Sequence, residues 1–180
     1  KQLLNKAIQI QPNFIDAHYN LGNVQNELGE FEKAIGSYKK TIAIEPNYAK
    51  AHYNLGLILR KLGNFEKAIN SYQKAIEIDP NFMAAYNNLG IVFKELKEFE
   101  KARSSYQKAI KIKPNYASAH YNLGNVQNEL GEFEKAISSY QKAIEIQPNY
   151  ASAHNNLGNV QNELGEFEQA VSSYQKAIKL

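Results

Sequence analysis

Four histidines, His18, His52, His120 and His154, are separated by multiples of 34 residues, and five asparagines, Asn20, Asn54, Asn88, Asn122 and Asn156, recur at that same interval. Imidazoles in register suggest a metal, whereas amides in register suggest recognition of a peptide backbone, because a carboxamide carries two donors and an acceptor. The metal reading fails on geometry. Zinc needs its nitrogens about 2 Å from the ion, and residues one period apart on stacked helices are separated by at least the helix spacing of about 8 to 10 Å. The histidines therefore read as packing residues. The repeated GEFE and NFEK carboxylates have no second acid at glycosidase spacing, and cysteine is absent, which removes thiolate chemistry. There is no phosphate loop, dinucleotide fingerprint or nucleophile motif. The residues predict no catalytic activity, no cofactor and no metal.

The interval itself says what must position the amides. The phrase NLGNVQNELGEFE begins at Asn20, at Asn122 and at Asn156. All five prolines, Pro12, Pro46, Pro80, Pro114 and Pro148, lie 34 residues apart, each followed by Asn and then Phe or Tyr. Strict periodicity of this length marks a stacked array in which no unit buries its apolar face alone. A formal charge of +3 is too small to argue for nucleic acid. No apolar run reaches 18 residues, so no membrane partner is expected. The sequence opens on Lys1 inside a repeat, and a processed or excised segment is the expectation. The compartment stays open, with the cytoplasm preferred.

Within Ala117 to Tyr150, apolar residues recur at helical spacing: Ala119, Leu123, Val126 and Leu130, then Phe133, Ala136, Ile137, Tyr140, Ala143 and Ile144. That predicts two amphipathic helices. Gly131 suits the left-handed closure of the first, Pro148 ends the second, and the Asn after each proline is expected to cap the next helix. The recurring Gly22, Gly56, Gly90, Gly124 and Gly158 read as places where helix backbones approach closely.

L-G, G-x-[FY], A-I, Y-x-K-A-I and P on a 34-residue period resemble the tetratricopeptide repeat family across nearly the whole chain. The resemblance implies an all-α fold, an α-α superhelix that is a right-handed solenoid of antiparallel helix pairs, with the first helix of each pair lining a concave groove. It divides the chain into a second helix of a preceding unit (1–14), four units (15–48, 49–82, 83–116, 117–150) and a truncated fifth (151–180). His18, His52, Tyr86, His120 and His154 stand where the family often has a large aromatic, and Lys97 replaces the inter-helix glycine.

A helical wheel gives the groove face without the family. With about 100° per residue and His18 at the origin, Leu21, Gly22 and Gln25 form the packing side, and Asp16, Asn20, Asn23 and Glu27 the opposite one, with Tyr19 and Asn26 at its edge. A row of amides, Asn20, Asn54, Asn88, Asn122 and Asn156, is expected along the groove. It is similar to the asparagine ladder that holds peptide backbone in the O-linked N-acetylglucosamine transferases. The neighbouring row varies: Asn23, Asn125 and Asn159 in repeats one, four and five, but Leu57 and Ile91 in repeats two and three. Repeat three carries seven basic residues against three acidic.

The expected function is a protein-interaction module that binds an extended peptide or partner helix. The peptide-binding candidates are Asn20, Asn54, Asn88, Asn122, Asn156, Asn23, Asn125, Tyr19, Tyr53, Lys50, Leu57, Arg60, Ile91 and Lys94, and the ligand is expected to be acidic. Tyr19 and Ala84 occupy two rows where a chaperone-binding carboxylate clamp needs basic residues. Two rival readings are the substrate-targeting arm of a larger enzyme such as a glycosyltransferase, and a scaffold that self-associates end to end through Leu3, Ile8, Tyr174 and Ile178.

Overall fold

The computed structural model describes residues 1–180, and eleven helices with no strand place the chain in the all-α class. The helices form two compact units, Lys1–Leu89 and Gly90–Leu180. No helix is long and apolar enough to cross a membrane.

The first unit holds α1 (Gln2–Ile10), α2 (Ile15–Glu27), α3 (Phe31–Ile44), α4 (Ala49–Lys61), α5 (Phe65–Ile78) and the opening of α6 (Met83–Glu95). Here α2 pairs with α3 and α4 with α5, while α1 packs on α2 and α3 on α4. The pairing follows from a small residue facing a large one. A Cβ at Gly22 would lie 2.7 Å from Cε1 of Tyr38, and one at Gly56 the same distance from Tyr72. These glycines thus admit a tyrosine ring, where the spacing alone suggested backbone against backbone. Tyr38 is 1% exposed, and burying a ring of this size contributes about 4 to 6 kcal/mol as an upper bound.

The second unit holds the remainder of α6, then α7 (Phe99–Ile112), α8 (Ala117–Glu129), α9 (Phe133–Ile146), α10 (Ala151–Glu163) and α11 (Phe167–Ile178). Its pairs are α8 with α9 and α10 with α11. Ala136, Tyr140, Leu157 and Val160 form a buried cluster, with Tyr121, Phe133, Ile137 and Ile144 packed on it.

Both kinds of turn have local causes. At the end of α2 the Glu30 N–H donates to the Gln25 carbonyl at 2.8 Å and the Gly29 N–H to the Asn26 carbonyl at 3.0 Å. This double closure needs a left-handed residue, and Gly29 supplies it at φ 72°. Lys97 closes α6 in the same way at φ 59°, its N–H donating to Lys94 at 2.9 Å and that of Glu98 to Phe93 at 2.8 Å. The turn from a second helix to the next first helix is held from the histidine row. His18 Nε2 donates to the Pro12 carbonyl at 2.8 Å, and His52, His120 and His154 repeat the bond to Pro46, Pro114 and Pro148.

The expected asparagine cap does not form. The N-caps of α2, α4, α8 and α10 are Phe14, Tyr48, Tyr116 and Tyr150, and none makes a side-chain capping bond. The asparagine lies one residue earlier, inside the turn, too far back to reach the free N–H groups. Its backbone is what the turn uses: the Asn47 N–H donates to Glu45 Oε1 at 3.1 Å and that of Asn81 to Asp79 Oδ1 at 3.0 Å.

Candidate functional site

In the first unit the amide candidates are joined to one another. Asn54 Nδ2 donates to Asn23 Oδ1 at 3.0 Å and to the Tyr19 hydroxyl at 3.2 Å, and the Tyr38 hydroxyl donates to the same Asn23 oxygen at 2.7 Å. The rings beneath are stacked at an angle, Tyr19 lying 5.0 Å from Tyr48 between centroids. Both donors of Asn54 are therefore spent within the protein, and its carbonyl oxygen is what remains to offer.

Where the row changes, the bond changes with it. Asn88 Nδ2 still donates to the Tyr53 hydroxyl at 3.1 Å, but Leu57 offers no oxygen, and the second donor turns back to the Ala84 carbonyl at 2.9 Å. Asn20 lies exposed on α2. On α4, Lys50 is exposed while Leu57 and Arg60 are half-buried. Lys61, at the end of α4, holds its ammonium 4.4 Å above the Phe31 ring.

The second unit repeats the arrangement with a cation added. Asn156 Nδ2 donates to Asn125 Oδ1 at 2.9 Å and to the Tyr121 hydroxyl at 3.2 Å, and the Tyr140 hydroxyl donates to Asn125 Oδ1 at 2.9 Å. Lys94, Tyr121, Asn125, Asn128, Asn156 and Asn159 line one open cavity of about 290 Å³ with Glu129 and Tyr140. Ile91 and Asn122, on α6 and α8, are half-buried. Burial lifts the Tyr38 hydroxyl to about 12 and raises that of Tyr140 as well, so both are neutral donors near pH 7.

The tyrosines of the second helices are the site residues that sequence reasoning missed. Tyr38 and Tyr140 read as apolar core from their period, yet each fixes an amide through its hydroxyl. Tyrosine stands in that row in every copy, including opposite Leu57 and Ile91, so nothing in the pattern marks the oxygen.

Comparison with known proteins bears on this geometry. Tetratricopeptide repeat matches fall on residues 49–82 and 151–180, and on 3–36 and 71–104, and TPR repeat matches on 25–63, 92–131 and 124–165. The chain belongs to the tetratricopeptide repeat family. Its members are protein–protein interaction scaffolds and are generally non-catalytic. No curated protein matches the chain. Among solved structures, MamA is similar at 32% identity and a TM-score of 0.82, over 88% of this chain and 93% of that one. YrrB, described as a TPR protein with an unusual peptide-binding site, aligns at 23% identity and a TM-score of 0.79, over 98% and 91%. PilF of Pseudomonas aeruginosa aligns at 23% identity and a TM-score of 0.84, over 92% and 75%. The latter two speak for the tetratricopeptide fold alone, an α-solenoid of helix pairs.

Proposed function

We propose that this tetratricopeptide array binds an extended, acidic peptide along its amide-lined helix faces. The observation that carries the reading is the cavity of the second unit, where Lys94 joins Tyr121, Asn125 and Asn156 in one lining. Lys94 supplies charge, the amides supply hydrogen bonds that any peptide backbone accepts, and Ile91 supplies apolar contact. In the first unit Lys50 and Arg60 take the cationic role beside Asn23, Asn54 and Leu57. A peptide-binding site on the fold of YrrB is in keeping with such a ligand.

The test is an immobilised peptide library with acidic, neutral and basic arms. The acidic arm should be enriched, and changing Arg60 and Lys94 to Ser should weaken capture and flatten its salt dependence. Equal capture by the neutral arm would refute the acidic preference, and loss of all capture in the wild type would refute the peptide reading.

A second reading, self-association, rests on α11, where Phe167 is 64%, Val171 53% and Ile178 84% exposed. Concentration-dependent light scattering, repeated with Leu3, Ile8, Tyr174 and Ile178 changed to polar residues, checks it. A monomer at high concentration in both samples would remove it.

A further inference from the structure

The two amide rows have opposite polarity toward the ligand. A carboxamide oxygen has two lone pairs, and Asn125 Oδ1 has both filled, by the Tyr140 hydroxyl at 2.9 Å and by Asn156 Nδ2 at 2.9 Å. The amino branch of the same planar group must then face away from these partners. Asn156 is turned the other way round: its two N–H groups go to Asn125 and Tyr121, and its oxygen is the acceptor side, with one exposed donor, Asn155 Nδ2, on it at 3.4 Å. The first unit carries an independent copy, in which Asn23 Oδ1 accepts from Tyr38 at 2.7 Å and from Asn54 at 3.0 Å. Leu57 is the natural control. With no oxygen in that row, the Asn88 donor swings to its own helix.

We infer that Asn125 presents its amino group to the cavity and takes an acceptor of the ligand, a carboxylate or peptide carbonyl, and that Tyr140 and Asn156 are positioning residues that fix this polarity. The inference rests on the peptide reading above and sharpens it. The row that repeats without exception orients the amide, and the variable row makes the contact. The lining agrees in charge sense: Lys94 and the Tyr121 hydroxyl add donors beside Asn125, and Glu129 is the one anion among them. An Asp or Glu side chain of a peptide meets that set better than a Lys or Arg side chain does. Tyr140 borders the cavity but is only 1% exposed, and its hydroxyl proton is already given to Asn125, so it acts through that amide.

Two measurements on the whole chain test this. The first needs no ligand: side-chain amide exchange in ¹⁵N-labelled protein. The Asn125 amino protons should exchange with water faster than those of Asn156, and Tyr140→Phe, which keeps the ring against Gly124, should blur the distinction. Protected Asn125 protons beside fast Asn156 protons would overturn the assignment whatever the protein binds.

The second is calorimetry with the tightest member of a capped acidic peptide library and with a basic peptide of matched length. Tyr140→Phe should weaken the acidic peptide about three- to tenfold, the range of one neutral hydrogen bond, and should add nothing on top of Asn125→Ala. Asn125→Asp, which exchanges donors for acceptors, should move the preference from the acidic peptide toward the basic one. An unchanged preference in Asn125→Asp, or full additivity of Tyr140→Phe with Asn125→Ala, would overturn the inference while leaving a peptide groove. A wild type that binds no library member would sink the groove reading and the contact together, a result distinct from either.

Discussion

The helix pairs α2–α3 and α4–α5 have the same length and the same turn, yet they hold different polar bonds. In α2–α3, Asn23 bridges Tyr38 and Asn54 on one face, and on the other the Ser37 hydroxyl donates to Gln25 Oε1 at 2.7 Å. In α4–α5, Leu57 and Leu59 stand in those rows. Ser71 donates instead to the Lys67 carbonyl of its own helix at 2.9 Å, and Asn88 to Ala84. The glycine–tyrosine contact is nevertheless the same 2.7 Å in both. The comparison separates what builds the pair from what is laid over it. Glycine, alanine and the tyrosine ring set the backbone, and the amide bridges are a second layer that one pair has and the other does without.

The largest effect should come from attacking the shared layer. Gly22→Ala and Gly56→Ala each put a methyl group 2.7 Å from a ring that is 1% or less exposed. The overpacking should cost about 1 to 3 kcal/mol, beyond the roughly 1 kcal/mol that alanine returns as a better helix former. The two losses should be equal in thermal or denaturant melts. Gly36 is helical as well but has nothing within 4 Å of an added Cβ, so Gly36→Ala should stabilise. A destabilised Gly36→Ala, or unequal losses at Gly22 and Gly56, would mean that the pairs do not share a core.

The next effect belongs to the second layer alone. Asn23→Leu copies the α4 residue into α2 and removes the acceptor of a nearly fully buried tyrosine hydroxyl. The expected loss is about 1 to 3 kcal/mol for the unmade bond, reduced by the apolar burial gained. Tyr38→Phe in the same background should recover most of it, because no buried donor is then stranded. The recovery, read in urea melts, is the measurement that decides whether the bond or the shape of Asn23 matters.

Alkali gives a third handle on α2–α3. Tyr38 has its hydroxyl lifted by burial from the ordinary 10.0 to about 12, with the neighbouring Asn54 amide acting the other way. The folded value is raised, so this contribution is whole below pH 10 and drains away as the pH climbs through about 12. Melting points should hold to about pH 9 and then fall, and ultraviolet titration should show a late-ionising tyrosine that is missing in Tyr38→Phe. A flat profile to pH 12 in the wild type would contradict the assigned burial.

How much of this was legible divides along the same two layers. The helix pair and the glycine closures could be read because packing positions recur every 34 residues, and Lys97 stood out as the one break in the glycine row. The histidine row was read as packing alone, without its bond to the proline carbonyl. The amide rows could be found, but not which atom of each faces outward. That depends on a tyrosine 15 residues later and an asparagine 31 residues later meeting on one oxygen. The pattern cannot show this, because the same tyrosine also follows Leu57. The asparagine after proline misled for a related reason: a residue type suited to capping stood one position too early to cap.

The smallest effect is expected where the shared layer has been altered without losing its geometry. Lys97 occupies the left-handed position filled elsewhere by Gly29, Gly63, Gly131 and Gly165 at φ 72° to 77°, and it does so at φ 59° with both closing hydrogen bonds made. A side chain in that conformation costs about 1 to 2 kcal/mol. Glycine removes the cost but widens the unfolded ensemble, which takes back part of the gain. Lys97→Gly should therefore raise stability by roughly 0.5 to 1 kcal/mol. The reverse change, Gly63→Lys in the α4–α5 turn, should lower it by a similar amount. If both melts move in the same direction, the two turns are not equivalent, and the strain assigned to Lys97 is relieved by its own side chain.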